Sequence, residues 1–239
     1  MKSRFVSLVV FLLVIAAVLY GLLQLSKSRT FQFFGGITQR VQTNQKVIAL
    51  TFDDAPSQYS DDVVRVLYVK GIHATFYVVG KGIEDYPDEM KNIVAMGNEL
   101  GNHSYSHQRF LFKSLSFTES EIQKTNALIR NTGYTGPITF RPPYGKKFLI
   151  LPWYLHEHGI ETVMCDVEPD TYVPGNVDEI IRYTVEHTKP GSIILLHPFC
   201  ETACEADREA LPHIIDSLQE KGYTFVTVSE LLKYKEEKN

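Results

Sequence analysis

The sequence predicts an α/β domain, a parallel sheet covered by helices and either open or closed into a barrel, standing behind one N-terminal apolar helix. Two observations carry this prediction. After residue 45, compact apolar runs rich in β-branched residues alternate with stretches whose apolar residues recur at helical spacing. Ahead of them, Phe5 to Leu25 reads FVSLVVFLLVIAAVLYGLLQL without one charge.

At about 1.5 Å per residue, that N-terminal run reaches across the roughly 30 Å of a bilayer's hydrocarbon core. A cleaved signal peptide has a shorter apolar stretch and a small-residue cleavage site. Here Ala16 and Ala17 lie inside the run and no A-x-A pattern follows, so residues 1–28 read as a cytoplasmic tip and an uncleaved signal anchor. Lys27 and Arg29 balance Lys2 and Arg4, but a long C-terminal domain can be translocated despite such flanks, and it is expected outside the cytoplasm. Residues 29–44 read as a linker. Phe31, Phe33 and Phe34 can sit at a membrane interface or pack on the domain.

The domain then reads element by element from 45 to 235. VIALTF (47–52) is a strand ending in Asp53 and Asp54, and DDVVRVLYVK (61–70) is a helix closed by Gly71. HATFYVV (73–79) is a strand, and PDEMKNIVAM (87–96) is a helix with proline and acids at its start. A short strand at Glu99 to Asn102 leads into the histidines, and 116–133 is a helix with an acidic start and a glycine stop. Further strands are expected at 138–141, 161–166, 192–196 and 224–228, with helices in the intervals, including 176–188 and 205–222. Pro212 predicts a kink in the last of these helices, or a start nearer to it.

The chain has 239 residues, 44% hydrophobic and 22% charged, which suits one domain with a substantial core. A net charge of −4 gives no electrostatic case for nucleic acid. Three cysteines exclude a disulfide scaffold.

The polar clusters fall at strand ends, where active groups gather in folds of this kind. Adjacent strand residues face opposite ways, which predicts different jobs for Asp53 and Asp54; alone, the pair can also be a turn that caps the next helix. GNHSYSH (101–107) spaces His103 and His107 so that both imidazoles share one face if the segment is helical. Two neutral imidazoles and one carboxylate make a three-ligand metal site with open positions, whereas two solvated turn histidines are the plain alternative. FRPPYG (140–145) holds Arg141 and the Tyr144 backbone in a stiff loop, and Arg141 can orient a carboxylate. LLHPF (195–199) puts His197 at the end of the strongest apolar strand, as a general acid or base or as a packed core histidine.

TFDDAP, HSYSH, RPPY and LLHP, in this order, resemble the motif series of the polysaccharide deacetylase family, carbohydrate esterase family 4, whose module is the NodB homology domain. The resemblance spans about Gln45 to Leu232. It implies an irregular barrel of about seven βα units. It also implies Asp53 as general base, Asp54, His103 and His107 as ligands of one divalent metal (zinc, or cobalt), Arg141 as the residue that orients Asp53, the Tyr144 N–H as an oxyanion donor, and His197 as general acid. The implied reaction is hydrolysis of N-acetyl groups from an amino-sugar polysaccharide, peptidoglycan first and chitin-like oligomers next, by a monomer anchored in a bacterial envelope. An O-acetyl esterase and a carbohydrate-binding module without turnover are the alternatives.

Two departures from the family pattern stand out. Ala55 replaces the usual glycine, which would cost energy if that backbone needs a positive φ. CDVEPDTY (165–172) matches the fourth motif, D-x-x-D-W, only with Thr171 and Tyr172 in place of aspartate and tryptophan. Asp166 or Asp170 can serve His197 instead, and Tyr172 keeps an aromatic wall for a sugar ring. Cys200 and Cys204 either form a local disulfide or are two small residues at a helix start, leaving Cys165 unpaired. His73, His156, His158, His187 and His213 match no motif and carry no role.

Overall fold

A computed structural model describes residues 2–235. The N-terminal helix α1 (Lys2–Lys27) is followed by β1 (Ile37–Thr38), β2 (Val47–Ala55), α2 (Ser60–Lys70), β3 (Thr75–Val78), α3 (Gly80–Asp85), α4 (Pro87–Ala95), β4 (Glu99–Asn102) and α5 (Leu115–Asn131). The second half holds α6 (Ile150–Glu157), β5 (Thr162–Val163), α7 (Pro169–Tyr172), α8 (Val177–His187), β6 (Ile193–Leu196), α9 (Glu205–Glu220), β7 (Thr224–Phe225) and α10 (Val228–Leu231).

The strands are parallel and close into an irregular barrel. The order β4–β3–β2–β6 forms the regular part, and β7 pairs with Val47 and Ile48 at the start of β2. The remaining wall is thin. Phe140 bridges Asn102 on one side and Thr162 on the other, and Val167 bridges Ile194 to complete the circuit. The strand expected at 138–141 is therefore a single bridge. The one expected at 161–166 is β5 alone, because Met164 leaves the Phe140 side and donates to the Thr38 carbonyl of β1 at 2.7 Å. The strand expected at 224–228 stops at Phe225, since Thr227 and Glu230 form a capping box that starts α10.

Two-residue periodicity sorts the barrel strands into two faces. Ile48, Leu50, Phe52, Phe76, Leu100, Ile194 and Leu196 face outward into the main core, against Val63 and Leu67 of α2, Met90 and Ile93 of α4 and Ile214 and Ile215 of α9. The intervening Ala49, Tyr77, Val163, Cys165, Ile193 and Leu195 pack in the barrel interior. Continuing the same parity past the strand ends carries Asp53, His103 and His197 inward. These three side chains thus stand on top of a filled barrel rather than in a pore.

Other expectations need correction. α9 runs unbroken through Pro212, because Ala210, Leu211, Ile214 and Ile215 are buried on both sides of it and hold the helix to the core. The stretch 29–44 is not a free linker: β1 pairs with β5 and Val41 is buried. α1 carries a span, Val6–Lys27, long and apolar enough to cross a membrane by length and composition.

Candidate active site

A cavity of about 620 Å³ opens above the barrel, with Asp53, Asp54, His103, His107, Arg141, Tyr144 and His197 all in its wall. That size suits a small-ligand cleft.

Asp53 is buried, and Arg141 holds it in place. The Arg141 Nη1 donates to Asp53 Oδ1 at 2.7 Å and to Thr51 Oγ1 at 2.8 Å, while Nη2 donates to the Met164 carbonyl at 3.1 Å. Its guanidinium lies 4.0 Å from the centre of the Tyr77 ring. Burial by itself would raise the Asp53 pKa; the Arg141 charge, aided by His103 and His197, overrides it and holds the carboxyl below the ordinary aspartate range.

Asp54 does not follow strand parity. The β2–β3 register shifts between Asp53 and Ala55, and Asp54 takes a left-handed φ of 67°. This bulge turns Asp54 back to the cavity, so His103 Nε2 lies 3.5 Å from Asp53 and 3.8 Å from Asp54. The positive φ therefore falls on residue 54 and not on residue 55. Ala55 is fully buried among core residues, and its methyl meets no backbone demand for glycine.

The histidines are not on a helix. β4 ends at Asn102, and the loop beyond it bends through left-handed Ser104 and His107. Loop and scaffold are tied together. The Glu121 carboxylate accepts from the N–H groups of Tyr105 and Ser106, and Asn102 Oδ1 accepts from the Ser104 N–H. Inside β4, Gly101 leaves room for the neighbouring strand's Tyr77, whose ring a Cβ there would meet at 2.4 Å. The two imidazoles end 5.0 Å apart, with His107 Nε2 3.2 Å from Asp54 Oδ1.

This donor set fits a metal. One atom each from Asp54, His103 and His107 lie within 4.8 Å of one another. His103 Nδ1 donates to the Arg141 carbonyl at 2.7 Å, which leaves Nε2 with its lone pair toward Asp54. Burial, then the neighbouring His103, keeps the His107 pKa below its ordinary value, favouring the neutral ligand form.

Across the cavity, His197 Nδ1 lies 2.6 Å from Asp170 Oδ2. Burial alone would disfavour the imidazolium, yet the hydrogen bond and charge of Asp170, with Asp53 and Asp54, push the His197 pKa up to about 10. Asp170, on α7, is thus the partner, whereas Asp166 accepts from Ser192 Oγ and the Ile193 N–H, both at 2.8 Å. Tyr144, at φ 56°, packs its ring 4.6 Å from that of His107. Tyr172 does not form the expected wall: it stacks on Tyr183 at 5.4 Å, and Thr171 lines the cavity in its stead. Cys200 and Cys204 are disulfide-bonded at the cavity rim, and Cys165 is free and buried.

Sequence reasoning missed two contributors. Asp207 is buried on α9, and its Oδ2 accepts from the His197 N–H at 3.3 Å, beside Asp170 Oδ2 at 3.2 Å. Burial, then the Asp170 charge, pushes its pKa up to about 7. An acid at the head of the apolar stripe Ala210, Leu211 and Ile214 was the available signal. Arg29, from the supposed linker, pairs with Glu168 and lines the cavity. That pairing and the His197–Asp170 bond neutralise the second cluster of possible ligands, Glu168, Asp170 and His197.

The polysaccharide deacetylase family model matches residues 40–163. The chain is 33% identical over 202 residues to the peptidoglycan-N-acetylmuramic acid deacetylase PdaC of Bacillus subtilis, matching 84% of this chain but only 42% of that protein. It is 32% identical over 204 residues to a peptidoglycan-N-acetylglucosamine deacetylase of Bacillus cereus, matching 84% of this chain and 95% of the relative. The crystal structure of the Bc1960 peptidoglycan N-acetylglucosamine deacetylase, in complex with a substituted N-oxidanyl-benzamide, superposes with a TM-score of 0.77 at 27% identity, over 81% of this chain and 91% of that one.

Proposed function

The chain belongs to the polysaccharide deacetylase family, and from that premise we propose that it hydrolyses N-acetyl groups of an amino-sugar polymer of the bacterial cell wall, releasing acetate, from the outer face of a membrane that α1 spans. Peptidoglycan is the favoured polymer, on the activities named for its relatives, and chitin-like oligomers come next.

One observation carries the reading. Asp53, bonded to Arg141 at 2.7 Å and so pushed toward its ionised form, and His197, 2.6 Å from Asp170 and so pushed toward its protonated form, share one cavity wall with the Asp54–His103–His107 trio. Two groups driven to opposite protonation states in one site suit a base and an acid for one reaction.

Asp54, His103 and His107 would hold a divalent ion such as zinc or cobalt; when bound, it supplies Lewis-acid polarisation of a carbonyl and a more acidic water. The protein's own groups do the rest. Asp53 accepts a proton from the attacking water, and Arg141 fixes which carboxylate oxygen is free to do so. The loop carrying Tyr144 borders the acetamide, and its N–H faces the developing oxyanion. His197, with Nδ1–H committed to Asp170, presents Nε2–H and protonates the departing nitrogen, so water and acetamide become acetate and a free amine.

The test is metal content and acetate release from the full-length protein in detergent, on N-acetylglucosamine oligomers and on peptidoglycan. Bound divalent metal and release that stops with a chelator are expected. Release from O-acetylated xylan alone would make the protein an esterase. Metal without release from any substrate would leave a carbohydrate-binding module.

A further inference from the structure

The end of α1 is built into the domain. Ser26 is buried, and its carbonyl accepts from the Lys147 N–H at 3.1 Å. Lys147, itself buried, donates through Nζ to the Ser28 carbonyl. Arg29 follows with its pair to Glu168 and a hydrogen bond to Cys165 Sγ at 3.2 Å. Lys27 and Arg29 therefore stand in the wall of the catalytic cavity. Just before this docking, Leu23 and Leu25 still point outward, 43% and 39% exposed. The change from outward apolar helix to packed chain takes place within a residue or two.

An apolar surface begins at the docking point. Phe148, next to Lys147, meets Phe33 edge-on at 5.6 Å and Phe112 at 5.4 Å, and Phe33 meets Phe31 at 5.4 Å. Phe31 and Phe33 are exposed, as are Leu149 and Ile150 at the start of α6; Phe112 is 85% exposed on a left-handed backbone, φ 53°. A phenylalanine held outward in that conformation adds nothing to the core. Lys113 shares a groove of this surface with Phe112 and Phe148, while Lys146 adjoins Lys147 and lies close enough to Lys27 to feel its charge.

We propose that this aromatic and aliphatic face is seated in the interfacial layer of the bilayer that α1 spans, so that the catalytic cavity opens at the membrane surface. The proposal rests on the reading of α1 as a membrane anchor. The occupant follows from continuity, because the face starts at the residue bonded to the end of α1 and no spacer lifts it away. Exposed Phe and Leu side chains bury at the boundary between headgroups and acyl chains, and lysines beside them favour anionic lipid. The polymer within reach is then the strand lying against the membrane.

Trp153 is the only tryptophan of the chain and sits one turn along α6 from Ile150, on the same face. The full-length protein is reconstituted in phosphatidylglycerol vesicles carrying a nitroxide just below the headgroup. Resistance to alkaline extraction reports the anchor, and Trp153 quenching reports the seating. The expected result is extraction-resistant protein with most Trp153 emission quenched. The doubly substituted Phe112→Ser, Leu149→Ser protein should stay inserted, keep its circular dichroism and its activity on soluble oligomers, and lose that quenching. Inserted wild type without quenching overturns the seating and leaves the anchor standing. Dimers in the same vesicles that shield Trp153 from the nitroxide would assign the face to a second copy. Protein that washes out overturns the anchor and the seating together, and quenching that persists in the double variant overturns the role of this face.

Discussion

The Asp170 carboxylate stands 2.6 Å from His197 Nδ1, one residue before Thr171, where the motif resemblance would place an aspartate. Asp170→Asn should therefore remove the charge that raises the His197 pKa. A group protonated below its pKa donates only there, so the alkaline limb of kcat/KM should move down by about one pH unit or more. Turnover near neutral pH should fall by roughly 10²-fold, because the Asp170 bond that fixes the imidazole's orientation and its Nδ1–H is weakened. Asp166→Asn, which touches the contacts to Ser192 and Ile193 and the ion pair with Arg40 but none to His197, should leave the alkaline limb in place. A pH–rate profile of both variants separates the two aspartates.

Asp53→Asn and His107→Ala should fail in different ways. The first should lose roughly 10³-fold or more in turnover while retaining bound metal, because it removes the base and spares the ligand trio. The second should lose metal as well. Metal analysis of the purified variants, read beside acetate release, checks the division of roles, and equal metal content in both would contradict it.

Arg141 makes the buried Asp53 carboxylate tolerable. Arg141→Met leaves that charge without its partner and should cost about 3–5 kcal/mol at neutral pH, a fall in Tm of about 10 °C. The sign with pH is fixed. The lowered Asp53 pKa gives stability that is present above the ordinary aspartate pKa and lost as pH falls through the lowered one. The gap between wild type and variant should hence be widest near neutrality and narrow on acidification. Thermal melts across that range measure it.

Asp207 titrates the other way. Its pKa, up to about 7 in the folded protein, exceeds its unfolded value, so the native state binds the extra proton and stability declines as pH rises between the two. Asp207→Asn keeps the shape and removes that decline. Its Tm should gain on wild type from pH 5 to pH 8, as melts at both values would record; parallel curves would count against a raised pKa.

The sequence by itself determined the alternation of strands and helices, the order of the four motifs along the chain, and the inward aim of Asp53, His103 and His197. These features are local. Period-two parity from Phe52, Leu196 and Leu100 already points Asp53, His197 and His103 inward. Tertiary structure decided what depends on distant neighbours. The bulge that brings Asp54 back into the cavity is a register shift against β3, invisible in a one-strand pattern. The histidine loop owes its shape to Glu121, and spacing alone left a helix and a turn both open there. Asp170 was chosen over Asp166 because the short helix α7 aims it at His197, while Asp166 is consumed by β6. Tyr172 left the cavity for Tyr183, and the expected linker became β1 with Arg29 in the cavity wall. Each of these outcomes is a competition between partners far apart in the chain, and only the folded geometry ranks them.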